Sequence, residues 1–145
     1  PPRHPTPRGG APRGVCFTPP PPAPAGCRDA PAPAPDGRIT GRRPLAVIEE
    51  GAGFPDGLCV DDEGCVWVAL WDGGAVRRYT PSGELDRVIA LPVPRVTACS
   101  FAGPGLTDLY ITTARVGLDA PHPLAGSLLV VPGAGRGVAQ PAFAG

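Results

Sequence analysis

Lysine, asparagine and methionine are absent from this chain of 145 residues, and all 13 of its basic side chains are arginine. Together with 23 Pro, 21 Gly and abundant Ala, this composition points to a GC-rich bacterial genome. The missing Met is expected of a piece of a longer protein. No apolar run approaches the roughly 18 residues that a membrane helix needs, and proline breaks the amino end where a signal sequence would need an apolar core. No membrane partner is expected, and the chain reads as cytoplasmic. Net charge is zero. Residues 1–35 hold four Arg against one Asp, whereas residues 36–145 hold nine Arg against twelve acids. That acidic excess gives no electrostatic reason to bind nucleic acid, whose backbone rewards clustered positive charge.

Other familiar patterns are missing as well. Cys16, Cys27, Cys59, Cys65 and Cys99 form none of the CxxC pairs of zinc or redox motifs. With a two-residue turn at Asp62-Glu63, Cys59 and Cys65 point to opposite faces of a hairpin and cannot bond. The cysteines read as small buried hydrophobes in a reducing cytoplasm. Ser82 and Ser100 lack the GxSxG setting of an acyl-enzyme serine. An EF-hand counted from Asp61 fails, because its sixth and twelfth positions are Val66 and Asp72 rather than Gly and Glu. Asp61 to Gly64 is therefore read as a solvated hairpin turn.

What the chain does contain falls into two zones. Residues 1–35 carry 13 Pro, including Pro19 to Pro22, and are expected to be extended and disordered, a tail or linker. Pro19 and Pro22 satisfy PxxP, so a protein partner for this arm is conceivable but not expected. Composition shifts abruptly near Asp36, which also fits translation of residues 1–35 out of frame. Strand-patterned sequence in another upstream frame would support that reading.

From residue 36 to 145 the texture is short strands and tight turns. Pro44 to Glu49 suits an outer strand. Leu58 to Asp61, Cys65 to Trp71, Ala75 to Tyr79 and Leu85 to Leu91, separated by Gly- and Asp-rich turns, make a four-stranded antiparallel meander. Cys65 to Trp71 is unbroken and apolar, so it must be covered on both faces. The pattern recurs as Thr97 to Ala102, Asp108 to Thr113, Ser127 to Val131 and Gly137 to Phe143. From Leu58 to Thr97 the offset is 39 residues, near the roughly 40–45 of a four-stranded propeller blade. No WD dipeptide ends these units, and no helix-period segment appears. Trp67 and Tyr110 hold equivalent second-strand places, which suggests packing between units.

Asp56 is the candidate functional residue. Pro55-Asp56-Gly57 is ordinary turn chemistry, but this turn leads into the innermost strand of a blade. In a propeller such loops surround one mouth of the central channel, where a carboxylate is well placed as a hard oxygen ligand. His4 in the Pro-rich tail, His122 on the loop from Arg115 to Gly126, Cys99 and Arg115 are weaker candidates. Each has a plain structural explanation, as a solvated loop residue, a packed thiol or a loop anchor.

The run Gly53-Phe54-Pro55-Asp56-Gly57-Leu58 resembles the SMP-30/gluconolactonase/LRE (regucalcin-like) family. Gly64 to Ala69, Gly73-Gly74, Val76, Leu91 to Pro94, Thr97 to Phe101, Leu109 to Arg115 and Phe143 to Gly145 continue the likeness in order. The resemblance implies an all-β fold, part of a six-bladed β-propeller with about two four-stranded antiparallel blades. It also implies one divalent metal, Ca, Zn, Mg or Mn, that polarises the carbonyl of a small sugar lactone for attack by water. Asp56 carries over as both metal ligand and acid/base. The family's other ligands, a Glu in the first blade and an Asn in a middle blade, have no counterpart here, and neither do its substrate-contacting Arg, Asn and Glu. Two functions are expected from this: a fragment of a metal-dependent lactone hydrolase that is inactive in isolation, or a non-catalytic propeller remnant with a Pro-rich interaction arm.

Overall fold

Nine strands build three antiparallel sheets in the computed structural model, which describes residues 14–16 and 44–140. Strand β1 (Gly14–Cys16) pairs with β2 (Pro44–Val47). The second sheet is a meander of β3 (Phe54–Val60), β4 (Val66–Trp71), β5 (Ala75–Tyr79) and β6 (Leu85–Ala90), in that order. The third holds β7 (Val96–Ala102), β8 (Asp108–Thr113) and β9 (Leu128–Val131), and a single 3-10 turn at Pro104–Leu106 joins its first two strands. The Pro-rich expectation for residues 1–35 lies outside the described residues, apart from the β1 pairing.

The core is organised around β4. Successive strand residues face opposite sides, so its unbroken apolar run feeds two clusters. Val66, Val68 and Leu70 pack with Ala46, Ile48, Ala75 and Tyr79 on the β2 side. Trp67 and Ala69 pack with Val76, Val96, Cys99, Leu109, Ile111 and Ala134 on the β7–β8 side. Each fully buried side chain of this size contributes about 1.5–3 kcal/mol relative to exposure. A single charge on either face of β4 would therefore break one interface between sheets. Trp67 and Phe101 meet edge to face at 5.5 Å, which agrees with packing between units for this second-strand tryptophan.

The β3–β4 turn is Asp62-Glu63-Gly64, one residue longer than the two-residue alternative on which the opposite facing of Cys59 and Cys65 depended. Asp61 pairs with Cys65 through a backbone hydrogen bond of 3.0 Å, and Gly64 adopts φ 79°. A three-residue loop closed by a left-handed Gly is a standard hairpin alternative, because Asp62 and Glu63 are poor at the positive φ a two-residue turn demands. The one-residue change shifts the register, so Cys59 lies opposite Trp67 and shares its parity with Cys65. The two thiols are not on opposite faces as expected. Both are free thiols.

The strand expected at Gly137 to Phe143 does not form within the described residues. Gly137 makes one isolated bridge to Asp61, and residues 138–140 are irregular; residues 141–143 lie outside the described part. The segment instead crosses back from the third sheet to the second. Asp62 N–H donates to the Arg136 carbonyl, and Gly137 N–H to the Leu106 carbonyl, each at 2.8 Å. A Cβ on Gly137 would lie 2.3 Å from Phe101 Cβ, so only glycine lets the chain pass there.

Candidate functional site

Asp56 lies within β3 rather than in a turn ahead of it. Pro55 pairs with Leu70 and Leu58 with Val68, so Asp56 and Gly57 together oppose Ala69 and form a bulge. Pro55 cannot donate to the ladder and Gly57 weakens it, which explains the break in register at this point. Asp56 is exposed. The adjoining strand β7 carries a matching irregularity, with Thr97 bulged between the pairs Val96–Thr113 and Ala98–Thr112. Thr97 and Thr112 share a hydroxyl hydrogen bond of 2.6 Å.

Gly57 sets how closely these two strands approach. A Cβ at this position would lie 2.5 Å from Ala98 Cβ and 2.8 Å from the Thr97 carbonyl oxygen. Its role is proximity, since its φ is not among the positive ones. Gly57→Ala should therefore push β3 from β7 and cost about 1–3 kcal/mol, read as a lower denaturation midpoint. Adding Ala98→Gly should recover part of that loss. An unchanged midpoint in the single variant would refute the close approach.

The weaker candidates are dispersed. His122 is exposed, and its Nδ1 accepts a hydrogen bond from the Leu124 N–H at 3.2 Å, a contact that shapes its own loop. Arg115, Ser82 and Ser100 are exposed, and Ser82 hydrogen-bonds Thr80 and Glu84 beside its turn. His4 lies outside the described residues. Cys99 is buried, with its Sγ 3.9 Å from that of Cys59. Among the described residues, none of these side chains hydrogen-bonds or ion-pairs with Asp56.

The largest polar feature is one that the sequence reading took for a solvated turn. Asp61 is 2% exposed and is the buried acid of the core. Its Oδ1 accepts the N–H groups of Glu63 and Cys65 at 3.1 and 2.9 Å, and its Oδ2 accepts Trp67 Nε1 and Arg78 Nε, both at 2.8 Å. Arg78 also binds Asp86 at 2.7 Å and contacts Glu63, and its guanidinium lies 5.7 Å from the Trp67 ring centroid. Burial alone would depress its pKa, but the bonds to Asp86, Glu63 and Asp61 outweigh burial and hold it above the ordinary arginine value. The clue in the sequence was a Trp three residues past Gly64 and an Arg one strand further on. Only the three-residue turn aims Asp61 at both.

Among the described residues, Asp61, Glu63 and Cys65 form a group of potential metal ligands, with ligand atoms within 4.8 Å of one another. The chemistry of this group does not suit a cation. Asp61 already accepts four N–H bonds, and Arg78 supplies the compensating charge. Burial, followed by the Asp61 charge, pushes the Cys65 thiol up and away from the thiolate that a metal would need. Asp56, by contrast, offers a free-standing carboxylate to solvent, enough for one ligand of a site completed by other residues.

Several known proteins resemble this chain in sequence and in fold. A family profile described as SMP-30/Gluconolactonase/LRE-like region matches residues 29–115, beginning ahead of the boundary at Asp36. Regucalcin of Danio rerio is 39% identical over 115 residues, covering 75% of this chain and 39% of that protein. Regucalcin of Homo sapiens is 37% identical over 115 residues, covering 75% and 38% respectively. Among solved structures, a luciferin-regenerating enzyme aligns with TM-score 0.64 at 34% identity over 73% of this chain and 38% of that one. A calcium-binding protein, regucalcin of Agrobacterium tumefaciens, aligns with TM-score 0.62 at 31% identity over 70% and 37%. The chain thus spans under two fifths of the length of the curated relatives it matches. No helix among the described residues is long and apolar enough to cross a membrane. With the family profile extending over more than half of its residues, and antiparallel sheets that superpose on solved relatives, the chain belongs to the SMP-30/gluconolactonase/LRE-like family.

Proposed function

We propose that this chain is part of a cytoplasmic, metal-dependent hydrolase that opens small sugar lactones, with Asp56 as metal ligand and acid/base. In this reading its sheets are blades of a six-bladed β-propeller, and residues 36–145 form the propeller portion. The observation that carries the proposal is the exposed Asp56 carboxylate in a bulge of β3, the first strand of a four-stranded sheet. Membership of the family supports it.

A divalent cation, when bound, would supply polarisation of the lactone carbonyl. Calcium is the favoured choice, since one solved relative is described as a calcium-binding protein. The chain's own contribution is at Asp56. Asp56 would help to hold the ion, and its carboxylate would take a proton from the attacking water and return it to the departing ring oxygen. Gly57, the next residue in the chain, admits β7 alongside.

One carboxylate binds a divalent ion weakly, because affinity grows with ligand number and preorganisation. The purified 145-residue chain should therefore hydrolyse gluconolactone no faster than buffer, with or without calcium, zinc, magnesium or manganese. Replacing the matched segment of the Agrobacterium tumefaciens regucalcin by residues 44–140 should produce a chimera with metal-dependent hydrolysis. A folded but inactive chimera would defeat the proposal, as would metal-dependent turnover by the chain alone.

A further inference from the structure

Cys59 on β3 and Cys99 on β7 hold their Sγ atoms 3.9 Å apart, although forty positions separate them in sequence. They belong to different sheets, so the contact spans an interface rather than a hairpin. The interface is pinned on both sides of the pair. Gly57 lies against Ala98, and the Cys99 thiol reaches the Trp67 carbonyl at 3.5 Å. A disulfide needs its sulfurs about 2.05 Å apart, so the gap left to close is about 2 Å.

The two thiols differ in access and in charge. Cys59 is half-buried, and its contact with Cys99 draws its pKa down against the opposing effects of burial and Asp61. Cys99 is buried, and its contact with Cys59, together with desolvation, pushes its own thiol up. The accessible sulfur is therefore the more nucleophilic one, and the buried sulfur waits behind it. Cys65 shares the parity of Cys59 but contacts no second sulfur among the described residues, which makes it an internal control.

We propose that Cys59 and Cys99 are a peroxide-responsive redox site that closes into a disulfide joining β3 to β7. The Cys59 thiolate attacks the terminal oxygen of a hydroperoxide and breaks the O–O bond. The products are Cys59 sulfenic acid and an alkoxide, or hydroxide, which takes the proton that Cys59 gave up. Cys99 then attacks the sulfenic sulfur. The S–S bond forms, the S–O bond breaks, and the departing hydroxide leaves as water with the Cys99 proton. Two electrons pass from the two sulfurs to the peroxide, and a dithiol reverses the change. The bond would lock the strand that carries Asp56 to its neighbour, and its formation does not depend on lactone chemistry.

The test uses the reduced 145-residue chain, a limiting amount of hydrogen peroxide, alkylation of the remaining thiols and peptide mass spectrometry. The peptide containing Cys59 should link to that containing Cys99 with loss of two hydrogens, the free thiols falling from five to three. Dithiothreitol should restore all five. Cys65→Ser should leave the link unchanged, whereas Cys99→Ser should hold Cys59 as a sulfenic acid trapped by dimedone. In guanidinium the links should scatter among the cysteines. A native pattern equal to the denatured one, a dominant link through Cys65, or no link at all would overturn the proposal.

Discussion

Asparagine in place of Asp56 should lower gluconolactone hydrolysis by the chimera about a thousand-fold while leaving its melting temperature unchanged. Asn has the shape of Asp, and the side chain at this position is exposed, so folding does not depend on its charge. Function does depend on it. The amide keeps one neutral oxygen, a poor ligand for a hard cation, and it cannot accept a proton from water. Removing ligand and base together should depress kcat more than it raises KM. Asp62→Asn, an exposed acid on the neighbouring turn, is the control and should change neither quantity. Hydrolysis within threefold of the parent in the Asp56→Asn chimera would remove Asp56 from the mechanism.

Arg78→Ala should cost about 3–5 kcal/mol of stability, read from the shift of the denaturation midpoint at neutral pH. The side chains of Arg78 and Asp61 are 11% and 1% exposed. Truncating Arg78 strands the Asp61 carboxylate inside the core, where water cannot replace the guanidinium. The three remaining N–H donors, from Glu63, Cys65 and Trp67, do not supply a counter-charge. Arg78→Lys should recover little, because a single ammonium cannot reach Asp61, Glu63 and Asp86 at once as the planar fork does. Asp61→Ala combined with Arg78→Ala should cost less than the sum of the two single changes, since each single variant leaves the other group unpaired. A loss below about 1 kcal/mol in Arg78→Ala would show that Asp61 is not held as a buried ion, against the desolvation argument.

The strands were legible because their signals are local. The apolar run from Val66 to Trp71 has no polar face, so burial on both sides followed directly, and the turns at Gly64 and Gly74 bear the positive φ expected of glycine. The missed strand at Gly137 was not a failure of pattern alone. Its Ala- and Gly-rich sequence suits a strand or a crossing segment equally, and Phe101 and Trp67 decided between them from another sheet. The facing of Cys59 and Cys65 was missed for a similar reason. A one-residue difference in loop length inverts every facing, and the sequence marks it only by the position of Gly64.

The candidate site divided along the same line. Asp56 was visible as a residue type in a motif, but its bulge depends on pairing with β4, and Gly57 was chosen by the approach of Ala98 from β7. Cys59 and Cys99 recur at the period of the repeated sheets, a signal present in the sequence yet silent about whether the two sulfurs face each other.

Amino-acid order by itself determined the all-β character, most of the turns, the family and Asp56 as the residue to watch, because these rest on contacts between near neighbours and on a matching motif. Tertiary structure alone decided that Asp61 is a buried ion and not a surface acid, that two distant thiols touch, and that the segment at Gly137 ties one sheet to another. Those outcomes depend on which faces meet across sheets, and a side chain's charge and chemistry are set by whatever packing places beside it.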